Sequence, residues 1–327
     1  MKDEQFHICF SEIINGYSLG YDDKIGDIYI KHITHLESLK IEKQYLSLLK
    51  EAREKNLPSN ETREKDIFQE GWTKKEEEQL NNTKLFISSA QENISKEFLL
   101  SKRKMWRREI LNSEKQLDSL WMKRDYLIGT TAEKHANKQL FYYQISNYMF
   151  KDENFIHKIV DDDTQEKEYE KLVEIYNKYL EKMGGETIKR IAISPFFTNI
   201  FYMSGDNAYY FYGKPIVNMT KHQSNLFLWG RHFKNLMGQY GDRLPKDIAD
   251  NPDDILEWFE ITQNVEKSGI LKEDESADGG MMSLPGATKK DYEMIGIDPS
   301  RIVNMGEKIA KSGKNMLTKE ELFEMNG

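Results

Sequence analysis

The sequence predicts a mainly α fold with a small N-terminal antiparallel β-sheet, and three observations carry that prediction. Residues 74–128 contain neither proline nor glycine, the two residues that most readily interrupt a helix. From His35 onward apolar side chains recur at three- and four-residue steps, the mark of helices with one buried face. Period-two alternation, the mark of strands, is confined to residues 5–31. Four segments are expected: a small β region over 1–34, a long charged helical arm over 35–128 (a helical hairpin or coiled coil), a compact aromatic-rich helical domain over 129–268, and a flexible tail with short helices over 269–327.

Taking the elements in order, Phe6/Ile8/Phe10, Tyr17/Leu19/Tyr21 and Ile28/Ile30 alternate, with Asn15-Gly16 and Asp22-Asp23 as turn chemistry between them. These read as a small sheet with one solvated face. A helix follows to about Lys55, with Leu36, Leu39, Tyr45, Leu48, Leu49 and Ala52 on one side, and Leu57-Pro58 ends it. A short helix is expected over 60–70, stopping at Gly71. Thr73-Lys74-Lys75-Glu76 is a capping box, in which hydroxyl and carboxylate satisfy free backbone donors at a helix start.

Within 74–128 one apolar stripe runs through Leu80, Ile87, Ala90, Ile94 and Phe98. A second runs through Trp106, Ile110, Leu117, Leu120 and Leu127, interrupted by Ser113 and Arg124. The two registers do not join without a stutter, so each stripe needs a partner helix from this chain or another copy. Thr130-Thr131-Ala132-Glu133 caps a further helix to about Phe150. Residues 161–164 make an acidic start for the next, which shows Tyr169, Leu172, Val173, Tyr176, Leu180 and Met183 at helical steps and closes at Gly184-Gly185.

The composition then switches. Residues 192–240 hold twelve aromatic side chains and five charged ones, in a chain that is 31% charged. Apolar material on this scale is buried in a core or held against a partner. Ser194-Pro195 opens a helix, Gly205-Asp206-Asn207 and Gly213-Lys214-Pro215 are turns, and Thr220 with Gln223 is another capping box. The helix it starts carries Leu226, Trp229, Phe233, Leu236 and Tyr240 on one seam. Asn251-Pro252 begins a helix over Ile255, Trp258, Phe259 and Val265. Beyond Ser268, residues 272–280 read as a polar linker, with short helical candidates near 289–295, 299–311 and 319–325.

At 327 residues, a length of roughly 150 residues per domain gives about two units. Hydrophobic content of 38% and a mean hydropathy of -0.73 fit a small core carrying long exposed helices. A net charge of -8 argues against a whole-chain nucleic-acid coat. One cysteine, Cys9, excludes an internal disulfide and points to a reducing compartment. No apolar run long enough for a membrane span occurs, and Met1-Lys2-Asp3-Glu4 lacks the order of a signal peptide.

No complete metal, phosphate-loop or triad motif occurs, so no catalytic residue, metal or cofactor is expected. His32 and His35 could share a metal only with further ligands, so a core or surface role is the simpler reading. His222 and His232, ten residues apart, are not expected to form a catalytic pair. Asp161-Asp162-Asp163 lacks the glycine and terminal glutamate of a calcium loop, and Gly213-Lys214-Pro215 lacks a backbone donor that phosphate would need. Cys9, between Phe6, Ile8 and Phe10, reads as a packed thiol. The sharpest charge feature is Lys102-Arg103-Lys104-Met105-Trp106-Arg107-Arg108, where cations could grip phosphates while the indole stacks on a base. Pairing with Glu97, Glu109, Glu114 and Asp118 along the helix is the simpler reading.

Ile193-Ser194-Pro195-Phe196-Phe197-Thr198-Asn199-Ile200-Phe201-Tyr202 and Tyr212-Gly213-Lys214-Pro215-Ile216-Val217-Asn218-Met219-Thr220 resemble proteins encoded among the tail and baseplate genes of large contractile-tailed bacteriophages, described as tail assembly chaperones or baseplate-hub assembly proteins. The upstream order is similar too, through Leu127-Ile128-Gly129-Thr130-Thr131-Ala132-Glu133. The resemblance covers residues 25–265 in organisation and about thirty positions in detail. It implies a non-enzymatic virion or assembly protein that binds other tail or baseplate components, in the host cytoplasm or the virion, with a homo-oligomer through the helical arm as one form. The expected contact residues are Phe196, Phe197, Tyr210, Tyr212 and Trp229. A nucleic-acid binder using Lys102, Arg103, Lys104, Arg107 and Arg108 is the alternative, and an enzyme with an unrecognised site is a third class.

Overall fold

The computed structural model describes residues 3–161, 166–268, 281–282, 287–294 and 302–303. They are mainly α-helical, with one three-stranded antiparallel sheet. The chain divides into two compact units, each assembled from two stretches of sequence: Met1–Ile67 with Ile128–Pro252, and Phe68–Leu127 with Asp253–Gly327. These borders fall elsewhere than the composition suggests, because residues 35–67 pack with 128–252 rather than with the helices that follow them.

The first unit opens with α1 (Asp3–Asn15), where a strand was expected. Phe6, Ile8 and Phe10 do alternate, but Phe6, Cys9, Phe10 and Ile13 also recur at helical steps. Cys9 and Ile13 are buried whereas Ile8 is half exposed, a division that only the helical period produces. Gly16, at φ +82°, ends the helix in the left-handed region. The chain then enters the hairpin of β1 (Tyr17–Asp22) and β2 (Gly26–Lys31), in register from Tyr17 opposite Lys31 to Asp22 opposite Gly26. The Asp22 carboxylate accepts from the Lys24 and Ile25 N–H groups at 2.9 and 3.2 Å and closes the turn. Ile28 and Ile30 point into the core.

Helix α2 (His35–Glu54) starts with a capping box between Thr34 and Glu37 and packs on α6 (Ala132–Tyr148). Tyr45, Leu48, Leu49 and Ala52 lie on the packed side. Leu36 and Leu39, expected with them, face solvent at 49% and 58% exposure. At 3.6 residues per turn Leu36 stands about 160° round the helix from Ala52, so one face cannot hold both. Helix α3 (Asn60–Asp66), capped by Ser59, is pinned to the start of α6. The Asn60 N–H donates to the Glu133 carboxylate and the Arg63 Nε–H to the Ile128 carbonyl, both at 2.9 Å. Where α6 ends, Met149–Phe150 forms β3 and adds to β2 with Tyr29 opposite Phe150. The sheet order is β1-β2-β3.

Helix α7 (Glu166–Lys182) buries Leu172, Tyr176 and Tyr179, with Met183 just beyond its end, while Leu180 is half exposed. Of its expected acidic start, residues 162–164 lie outside the described residues. Ile175 reaches Gly20 of β1 so closely that a Cβ there would sit 2.7 Å from its Cγ2. Gly184 caps the next helix, α8 (Gly185–Ile193), so the glycine pair ends one helix and begins another.

In the second unit α4 (Lys74–Lys96) and α5 (Leu100–Ile128) form an antiparallel hairpin. The two expected stripes are its buried and half-buried positions, including Leu80, Ala90 and Ile110. Lys123 of α5 pairs with Glu76 of α4, Arg124 with Glu77, and Lys84 lies 4.4 Å from the Trp121 ring centroid. The partner helix that each stripe requires is thus supplied by the same chain. Helix α12 (Pro252–Ser268) and the short α13 (Lys289–Met294) complete the unit. Tyr292 packs with Leu100, Ile261 and Val265, and the Asp291 carboxylate accepts the Ser101 N–H at 2.8 Å, capping α5. The first helical candidate of the tail is therefore docked. Within the second, Ile302 and Val303 pair in parallel with Met281 and Met282. The linker at 272–280 and the third candidate lie outside the described residues.

Candidate functional site

The aromatic block folds as three helices joined by tight turns: α9 (Pro195–Phe201), α10 (Ala208–Tyr212) and α11 (Lys221–Tyr240). Gly205 and Gly213, at φ +61° and +66°, supply the left-handed residues that reverse the chain on either side of α10. Pro195 occupies the first turn of α9 as expected, but the Ser194 hydroxyl donates to the Arg190 carbonyl at 2.8 Å instead of capping. Beneath these helices lies a ring core. Phe197 and Phe201 stack at 5.1 Å, Phe211 meets both edge-on at 5.6 and 5.7 Å, and Phe227 meets Phe201 at 5.3 Å. Gly230 of α11 permits the approach, since a Cβ there would lie 2.8 Å from Phe197.

The five aromatic residues expected as a contact surface divide accordingly. Phe197 is fully buried. Phe196 is half-buried against His7 and Phe10, at 3.8 and 5.6 Å between ring centroids. Tyr212 is half-buried, its hydroxyl donating to the Gln223 carbonyl at 2.9 Å, and burial pushes its phenol well above the usual range. Trp229 is half-buried, stacked on Phe233 with Lys189 5.6 Å from its ring centroid. Tyr210 alone among the five is outward, at 74% exposure.

The apolar surface in this region is made by other side chains: Ile200, Tyr202, Met203, Tyr209, Ile216 and Val217 are all exposed, together with Tyr210. They occupy the solvent side of the same short helices and turns whose inner side holds the rings. The signal that separates them is the helical offset. Phe197 and Phe201 are four apart and share the inner face, Ile200, three from Phe197, sits at its edge at 48% exposure, and Met203, two beyond Phe201, falls outside it.

A buried polar cluster lies elsewhere in the same unit. The Ser18 hydroxyl donates to Glu12 Oε2 at 3.0 Å and lies 2.9 Å from His32 Nε2. Since that hydroxyl's one hydrogen goes to the carboxylate, His32 Nε2 must be the donor to Ser18. Lys182 Nζ donates to the other Glu12 oxygen at 2.6 Å. The His32 ring stacks on Tyr179 at 5.4 Å and meets His222 edge-on at 4.9 Å, and Tyr179 Oη is 2.8 Å from His222 Nε2. Burial, reinforced by His222, pulls His32 down to about 2, and burial pulls His222 down to about 4, so both rings are neutral at pH 7. Ser18 and His32 are 1% and 0% exposed, which closes the serine to an incoming carbonyl. The cluster ties α1, β1, β2, α7 and α11 together, and sequence spacing could not announce it because His32 and His222 are far apart in the chain. His35 turns away to Ser224 Oγ at 2.6 Å, so the two neighbouring histidines do not converge. Among the described residues, no group of three or more His, Cys, Asp or Glu side chains is placed to hold a metal.

In the second unit the basic run is divided as well. Arg103 is 1% exposed and donates to Glu257 at 3.1 Å, to Glu260 at 2.5 Å and to the Ile94 and Glu97 carbonyls at 2.9 and 3.1 Å. Arg107 donates to Glu257 at 2.8 Å, and Lys102 lies 3.9 Å from Glu97. Lys104 and Arg108 face solvent. The run thus spends most of its charge on acids of its own unit, and Arg103 cannot reach a phosphate without breaking a buried ion cluster.

No protein-family model matches the chain, and neither a curated protein nor a solved structure shows significant similarity to it.

Proposed function

We infer that the protein is a non-enzymatic component or assembly chaperone of a contractile bacteriophage tail or baseplate, and that it works through protein–protein contacts in the host cytoplasm or the virion. The observation that carries this reading is the exposed apolar surface over residues 200–217, presented on short helices that a packed ring core holds in place. Exposed side chains gathered in this way mark contact surfaces, and tyrosine and methionine suit such surfaces because they bring large area on adaptable or amphipathic groups. The motifs at 193–202 and 212–220, which support the tail and baseplate assignment, frame the same surface.

The test is coexpression with individual tail-tube, sheath and baseplate proteins of a contractile-tailed phage, followed by size-exclusion chromatography. Co-elution with one of them is expected, and Met203→Asp with Tyr210→Asp should abolish it without changing the melting temperature. Failure to co-elute with any of these components would overturn the reading, as would co-elution untouched by both substitutions.

A further inference from the structure

Helix α5 carries a second regular stripe on the side turned away from α4. Arg108, Leu111, Lys115, Asp118, Met122 and Asp125 follow one another at steps of three, four, three, four and three residues, the spacing that keeps side chains on one seam of a coiled coil. All six face solvent. At 3.6 residues per turn they stand about 160° round the helix from the stripe through Trp106, Ile110, Leu117, Leu120 and Leu127 that closes the hairpin. Leu111 and Met122 are 52% and 69% exposed, and beside the seam Met105 and Tyr126 are 53% and 86% exposed. Four large apolar side chains thus stand in water on one side of a single helix. The charges along the seam are divided by position. Arg108 and Lys115 lie in its first half, with Lys104 one turn before them, and Asp118 and Asp125 lie in its second.

We propose that this seam joins two copies of the chain as an antiparallel pair of α5 helices about a two-fold axis. The seam is complementary to itself. In an antiparallel pair, each step forward along one helix is a step back along the other, and the two-fold repeats every contact in reverse. Setting Leu111 on Met122 of the second copy therefore sets Arg108 on Asp125 and Lys115 on Asp118, and symmetry repeats all three layers. Met105 comes beside Tyr126, a thioether against a ring. Outside the seam Lys104 lies one turn from Asp125 of the second copy. Of the flanking carboxylates, Glu109 comes level with Lys123, which Glu76 of its own copy already holds, and Glu114 comes beside Trp121. No two like charges stand directly opposite one another. Asp125 also has a contact within its own chain, and a carboxylate accepts more than one donor. A parallel pair would instead set Arg108 on Arg108, Lys115 on Lys115 and Asp118 on Asp118. The acidic half of the seam also disfavours an anionic lipid surface or a nucleic acid as the occupant. The ion-pair layers fix direction and register, while the four apolar side chains of each copy supply the burial. Because the two stripes of 74–128 close on each other within the chain, a homo-oligomer through the arm needs a further face, and this seam supplies it. The inference goes beyond the contact surface at 200–217 and uses none of its residues.

Sedimentation velocity of the full chain, from low to high micromolar concentration, measures the association. A monomer–dimer equilibrium is expected, and Leu111→Asp with Met122→Asp should weaken it at least about tenfold at an unchanged melting temperature. Lys115→Asp and Asp118→Lys should each weaken it as well, since each sets like charges opposite, and the two changes made together in one chain should restore it. Cross-linking reads direction and register. A Leu111→Cys chain mixed with a Met122→Cys chain should form a disulfide-linked pair on mild oxidation with diamide. Neither should link to itself, because the two copies of either position stand about 16 Å apart along the axis of the antiparallel pair. A monomer at every concentration, a dimer indifferent to the Leu111 and Met122 changes, no recovery in the doubly exchanged chain, or self-linking of the Leu111→Cys chain would overturn the proposal. Met203→Asp with Tyr210→Asp should leave the dimer intact, so loss of one interaction is separable from loss of the other; a dimer abolished by those two changes would place the interface at 200–217 and overturn the proposal.

Discussion

Gly230→Ala tests whether the aromatic block is a core welded to α11 or a set of loosely placed rings. The new Cβ would stand 2.8 Å from Phe197 Cε1 and Cζ and 3.2 Å from Phe201 Cε2, against about 3.5–4.0 Å for carbon atoms in ordinary contact. Phe197 has little room to retreat, because Phe201 stacks on one face at 5.1 Å and Phe10 and Phe211 meet it edge-on at 5.7 and 5.6 Å. Overpacking of this kind costs about 1–3 kcal/mol, and alanine returns about 1 kcal/mol of helix propensity. With both rings fully buried the upper half of that range applies, and a net loss of about 1–2 kcal/mol is expected. Gly238→Ala supplies the control, since it lies on the same helix with nothing within 4 Å of its Cβ, and should gain about 0.5–1 kcal/mol. The propensity contribution cancels between the two variants, so their difference in urea unfolding free energy isolates the packing. Equal stability of the two variants would refute the packed-ring account.

Other outcomes follow from the buried groups. Arg103→Met removes the buried bonds to Glu257, Glu260 and the Ile94 and Glu97 carbonyls and leaves Glu257 with Arg107 alone, and should cost about 2–3 kcal/mol in urea unfolding; a change below about 1 kcal/mol would show that the ion cluster does not form. His32 and His222 stay neutral in the fold at values of about 2 and about 4 against 6.5. Below pH 6.5 the unfolded chain therefore binds protons that the folded chain refuses, so this stability is complete above that pH and is lost below it, by about 2 kcal/mol per histidine at pH 5. Urea midpoints at pH 7.5 and 5 measure the loss, and a flat profile would contradict the cluster's burial. Cys9 is fully buried and its thiol is pushed up, chiefly by that burial. It should resist Ellman's reagent in the native chain and react in urea, whereas immediate stoichiometric reaction would place α1 on the surface.

Features set by neighbours in sequence were legible without a structure. The boxes Thr73/Glu76 and Thr220/Gln223 form as their spacing implies, because each is complete within four residues. The two stripes of 74–128 are the buried and half-buried positions of one hairpin, with Ser113 and Arg124 interrupting the second. What escaped was decided by distant partners or by an ambiguous period. Phe6, Ile8 and Phe10 satisfy alternation, but the buried Cys9 and Ile13 fix the helix. Met149–Phe150 becomes a strand because β2 offers it an edge. The exposed apolar surface was only partly legible: the strong aromatic signal marked the core, with Phe197 at its centre, while the exposed Ile200, Met203, Ile216 and Val217 carry no signal by composition. Arg103 looked like one cation in a run until Glu257 and Glu260, more than 150 positions away, were placed on it.

If the chain works by protein contact through residues 200–217, partner binding covers that surface. Hydrogen exchange of the protein, free and bound to the tail or baseplate component with which it co-elutes, tests this most directly. Slowed exchange over residues 200–217 and no change over 102–108 are expected. Protection centred on 102–108, with 200–217 exchanging as in the free protein, would contradict it.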